Sequence, residues 1–166
     1  LSTPWDIRTS KLQGKHDFSG FVGTTEQDKT IAATDPYQLY FREDGKFLAV
    51  VSTPADRVYS FELETAWDLS SITIILGDFY IGAQDSSPEC LWFSNDGIYM
   101  YSGGETSNSI FQYTLSTPWD ITTASLTRSY NVNSFDNLLV GISFSGGGRK
   151  LYFVGYTREG NIPPNI

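Results

Sequence analysis

One short string returns three times in this chain of 166 residues, and its return constrains the fold more than any other feature. Leu1-Ser2-Thr3-Pro4-Trp5-Asp6-Ile7 comes back as Leu63-Glu64-Thr65-Ala66-Trp67-Asp68-Leu69, and again as Leu115-Ser116-Thr117-Pro118-Trp119-Asp120-Ile121. The copies start 62 and then 52 residues apart. A period in this range marks a repeat architecture, in which each unit buries its apolar face only against a neighbour.

A second landmark keeps the same period. Tyr37-Gln38-Leu39-Tyr40-Phe41-Arg42-Glu43-Asp44-Gly45 matches Glu89-Cys90-Leu91-Trp92-Phe93-Ser94-Asn95-Asp96-Gly97 and then Val140-Gly141-Ile142-Ser143-Phe144-Ser145-Gly146-Gly147-Gly148. Phe41 to Leu63, Phe93 to Leu115 and Phe144 to Ile166 each span 22 residues. Residues 1–166 therefore read as a single repeat region of three units, at about 1–62, 63–114 and 115–166. The ten extra residues of the first unit fall within the polar stretch from Gly14 to Thr34.

Each unit reads as four strands. In the first, residues 37–41 alternate and are aromatic, and Asp44-Gly45 is a hairpin turn because Gly tolerates positive φ. Strands follow at 46–52 and 58–63, separated by a polar turn. The Pro of the Trp-Asp string lacks a ladder donor, so that string is a loop. A last strand follows it, clearest at 71–76 and 126–132. Four short strands per unit predict an all-β fold of β-propeller-type blades. No helical stripe of period 3.6 competes with this reading.

Three blades are fewer than the four to eight that close a ring. Two completions stay open: oligomerisation, with two copies giving six blades, or further blades of a longer chain. The first residues read as an outer strand without its inner three, and 140–166 as three inner strands without an outer one. These pieces complement each other and would hide sheet edges.

The segment 115–125, followed by Phe144-Ser145 and Lys150-Leu151-Tyr152-Phe153-Val154-Gly155, resembles the tandem β-propeller repeats of phage virion or tail proteins and environmental bacterial proteins. The resemblance covers the whole chain. It departs at Ala66, at Gly146-Gly147 and at Pro163-Pro164. It implies a structural or recognition component of a virion or surface assembly, with an extracellular or virion location.

Charge and composition narrow the partners. The formal net charge is −8, which repels phosphate backbones and argues against nucleic acid. No apolar run is long enough to span a bilayer, so no membrane insertion is expected. Cys90, the single cysteine, lies in an apolar run and reads as a small buried hydrophobe. The start at Leu1 suggests a processed product or a fragment.

No catalytic constellation is legible. His16 is the single histidine, and no nucleophile elbow accompanies it. One His and one Cys cannot form a His/Cys metal site, and the Asp-Gly turns lack EF-hand spacing, so neither metal nor cofactor is expected. Asp6, Asp68 and Asp120 recur with the architecture and read as turn formers. Trp5, Trp67 and Trp119 read either as blade packing or as ligand-binding platforms for sugar rings.

Three functional expectations result. The first is a non-enzymatic structural or recognition module whose repeated loops act together. Its partners would be further copies of itself, neighbouring blades or other subunits. The second is a lectin-like propeller that binds cell-surface glycan through the Trp loops. The third is a polysaccharide-acting enzyme with its site at the central channel.

Overall fold

The alternating segments and Gly-containing turns build strands, and hardly anything else. A computed structural model of the protein describes residues 21–22, 30–31, 36–135 and 138–156. The first sheet contains β3 (Pro36–Phe41), β4 (Phe47–Ser52), β5 (Arg57–Leu63) and β6 (Ile72–Tyr80) in that order. The second repeats it with β7 (Pro88–Phe93), β8 (Tyr99–Gly104), β9 (Ser109–Leu115) and β10 (Ala124–Asn131). The third pairs β11 (Leu139–Ser145) with β12 (Lys150–Gly155). All of these pairings are antiparallel. The only helical turns among the described residues are two short 3-10 turns, Leu69–Ser71 and Ile121–Thr123.

β1 (Phe21–Val22) and β2 (Thr30–Ile31) form a small hairpin inside the extra stretch of the first unit. Otherwise Gly14 to Thr34, His16 and the expected outer strand of the first residues lie outside the described residues. So does the third strand expected before Ile166.

The sheets stack face to face through the two sides of each pleat. On β4, Phe47, Ala49 and Val51 enter one core with Leu91, Phe93, Met100, Tyr113 and Ile121 of the second sheet. Leu48 and Val50 point the other way, with Tyr59, Phe61 and Leu63. In the second sheet Cys90 and Ile110 face the third, meeting Leu139 and Ile142. This two-sided burial is why the strands are apolar at successive positions: β4 is buried throughout.

β3, β7 and β11 touch one another across sheets, whereas β6 and β10 lie at the far edges. Thus β3, β7 and β11 are the inner strands. Gln38 on β3 ties two of them, its Oε1 accepting the Leu91 N–H at 2.9 Å. One end of the stack carries the 53–56 turn, the 81–87 loop and the 105–108 turn. The other carries the Asp-Gly turns and the Trp-Asp loops.

Candidate active site

Every inner strand starts with the same irregularity. The register steps from Pro36↔Ser52 to Gln38↔Val51, from Pro88↔Gly104 to Cys90↔Gly103, and from Leu139↔Gly155 to Gly141↔Val154. Tyr37, Glu89 and Val140 are thus the extra residues of three equivalent β-bulges. A bulge re-aims its side chain out of the ladder. Two of these residues carry no charge, and the third is a glutamate.

Glu89 is 8% exposed and sits among other acids. Burial pushes its carboxyl up to about 7, and it also shares a hydrogen bond with Glu105 and feels the charges of Glu105 and Asp85. Each of these effects favours the protonated form.

The scaffold around Glu89 is hydrogen-bonded in place. Asp85, buried at 3%, accepts from the Ser87 N–H at 2.8 Å and the Ser107 N–H at 3.0 Å. It thereby staples the 81–87 loop to the 105–108 turn. The Glu105 N–H donates to the Ser87 carbonyl at 3.2 Å. From the third sheet, the Tyr156 hydroxyl donates to Glu105 Oε1 at 2.7 Å. The position after the second strand of each unit, namely Thr53, Glu105 and Tyr156, repeatedly reaches a neighbouring sheet: Thr53 Oγ1 donates to the Pro88 carbonyl at 2.7 Å. Asp56 joins this acidic end, its carboxyl raised by burial and by Asp85.

Near neutral pH the arrangement keeps the Glu89 proton beside the Glu105 carboxyl. Among the described residues no group of three or more His, Cys, Asp or Glu is disposed to hold a metal ion. Cys90, next to Glu89, is buried, and its thiol is pushed up by burial and donates to the Gly103 carbonyl at 3.2 Å. It is a packing residue.

The repeated residues lie at the opposite end. Trp5 is outside the described residues. Trp67 and Trp119 share φ 67°, and each places its ring on the glycine of its own Asp-Gly turn. Their backbone N–H groups donate to the Gly45 and Gly97 carbonyls at 2.9 and 3.0 Å. Trp119 also lies against Phe93, Tyr40 and Phe47, with the Arg42 guanidinium 5.3 Å from its ring centre. Trp67 meets Phe41 at 5.2 Å and is 49% exposed. Asp68 and Asp120 cap the 3-10 turns, accepting from the Ser70 and Thr122 N–H groups.

No protein-family model matches the sequence, and no curated protein does. Solved structures do. The Pseudomonas aeruginosa periplasmic gluconolactonase aligns over 76% of this chain and 34% of its own, with a TM-score of 0.58 and 17% identity. A putative 6-phosphogluconolactonase from Bacteroides uniformis aligns over 71% and 32%, with a TM-score of 0.55 and 14% identity. The β-propeller domain of Cps50 (Swd1) from Myceliophteria thermophila aligns over 78% and 37%, with a TM-score of 0.53 and 14% identity. This chain is built of β-propeller blades. It spans about a third of the length of the propellers it matches.

These likenesses correct the leading functional expectation. A non-enzymatic structural or recognition module was expected because no acid and base converge in the sequence. Two of the three structures above bear lactonase names. The fold itself supplies the convergence: Glu89 and Glu105 are 16 residues apart and meet where β7 and β8 pair. No local motif announces them. The available signal was a glutamate, Glu89, at a repeat position filled elsewhere by Tyr37 and Val140.

Proposed function

We propose that these blades belong to a propeller enzyme that opens a sugar lactone, with Glu89 and Glu105 as its acid–base pair. The observation that carries this reading is the Glu89 carboxyl, which keeps its proton up to about 7 beside a second carboxylate. A group poised near the working pH is the efficient general acid or base. Two carboxyls sharing one proton divide those roles between them.

The step balances without a cofactor. Glu105 takes a proton from water as the water oxygen bonds to the lactone carbonyl carbon. The ring C–O bond breaks, and Glu89 gives its proton to the departing ring oxygen. One carboxyl is protonated before and after. Among the described residues the charges that act on Glu89 are the carboxylates of Glu105 and Asp85, which favours a neutral lactone over a phosphorylated one.

The test is hydrolysis of glucono-lactone above its spontaneous rate, followed by acid release across pH 5–9. Glu89→Gln should lower turnover by about 100-fold or more and remove the limb near neutral pH. Turnover unchanged in a folded Glu89→Gln protein would overturn the assignment, as would the absence of any lactone hydrolysis.

A further inference from the structure

Three sheets meet at the carboxyl pair, and one repeat position serves it from each. Thr53, Glu105 and Tyr156 directly follow β4, β8 and β12, the second strand of each sheet. The backbone places the last two alike. The Glu105 N–H donates to the carbonyl of Ser87, the residue before β7, at 3.2 Å. The Tyr156 N–H donates to the carbonyl of Leu138, the residue before β11, at 3.1 Å. The third sheet thus presents a tyrosine hydroxyl where the second presents a carboxyl.

That hydroxyl donates to Glu105 Oε1 at 2.7 Å, across 51 residues of chain. Tyr156 is 49% exposed, so burial alone does not dictate where its side chain goes. From the other side, Thr53 Oγ1 donates to the carbonyl of the Pro88–Glu89 peptide at 2.7 Å. The first sheet therefore holds Glu89 through its backbone, and the third holds Glu105 through its side chain.

The need for the second hold is electrostatic. Two adjacent carboxyls repel whenever both are charged. Glu105 begins a turn, and its long side chain has other rotamers that would take it away from Glu89. A tyrosine hydroxyl has one hydrogen to give, and a carboxylate has room to accept several. Tyr156 gives its hydrogen to Glu105, which can still accept the proton-bearing Glu89 beside it.

We infer that Tyr156 is a positioning residue of the carboxyl pair: its hydroxyl holds Glu105 against Glu89, with Glu105 as acceptor and Glu89 as bearer of the proton. This role rests on the acid–base reading of Glu89 and Glu105, and it makes the third blade part of the site.

Tyr156→Phe in the full chain tests it by removing the hydroxyl and keeping the ring. Glu105 can then leave Glu89, whose carboxyl loses both influences of Glu105 while its burial stays. The Glu89 titration should move down by about one pH unit. The infrared band of the protonated carboxyl, identified by its loss in Glu89→Gln, reads this midpoint without any lactone. With glucono-lactone, kcat should fall about tenfold at unchanged KM, and the pH limb should shift with the band. In a Glu105→Gln background, Tyr156→Phe should change neither reading further. Tyr156→Met gives the same test should the Phe variant prove unfolded by circular dichroism. A Glu89 midpoint equal in wild type and Tyr156→Phe overturns the role, whether or not lactone is hydrolysed, and leaves Tyr156 as packing between sheets. An undiminished effect in the Glu105→Gln background overturns it too, as does a raised KM at unchanged kcat. A shifted midpoint without lactone hydrolysis upholds the role of Tyr156 and overturns the enzyme reading instead.

Discussion

Trp67 and Trp119 are the same residue of the same motif, with the same φ and the same glycine beneath, yet only one is enclosed. Trp119 is covered from the first sheet by Tyr40, Phe47 and Arg42. Trp67 has Phe41 of its own sheet as its aromatic contact and is half exposed. The contrast shows what the motif does. Within a blade it pins the loop to the Asp-Gly turn, and between blades it is the wedge that one sheet offers to the next.

The largest effect expected from this contrast is that of Trp119→Ala. It should destabilise the protein by about 2–3 kcal/mol, below the range for a fully buried aromatic because Trp119 is partly buried. Trp67→Ala should cost about 1 kcal/mol, since half of its surface stays in water. Urea midpoints measure both, and equal losses would break the comparison. The turn glycines sharpen it. Gly97→Ala must adopt a left-handed φ and displace the Trp119 ring, whereas Gly148→Ala, which meets nothing within 4 Å among the described residues, should cost about 1–2 kcal/mol for φ alone.

A separate effect is one of pH at the other end of the strands. Burial, followed by Glu105, raises the Glu89 carboxyl above its ordinary 4.5 to about 7, so the folded state holds this proton more tightly than the unfolded one. Its contribution is therefore fully favourable below pH 4.5 and is lost as pH rises through about 7. Unfolding free energies between pH 4 and 8 should show this decline, and Glu89→Gln should flatten it. An unchanged slope would place the proton elsewhere.

The repeat made the fold legible. Its period located the strands to within a few residues, as at 46–52 against Phe47–Ser52 and 58–63 against Arg57–Leu63. Asp68 and Asp120 form the expected turns because an Asx side chain reaches the amide two residues on whatever lies around it. The site was not legible in the same way. Glu89 gains its raised carboxyl first from burial between sheets, then from Glu105 and last from the nearby Asp85, and the two larger causes are not local. The bulge that aims Glu89 is also silent in sequence, since Tyr37, Glu89 and Val140 share no chemistry. The strand clearest at 71–76 in the sequence runs on through Gly77 to Tyr80, with a φ of 156° at Gly77 beneath Thr122.

The bulge has one more consequence. Its extra residue has no partner across the ladder, so a change of side chain there leaves the register of the ladder as it is. Each blade thus carries one spare letter at a fixed address on its inner strand. Tyrosine, glutamate and valine can be written there in turn while the sheet stays the same, and a fold made of copies can hold different chemistry in each.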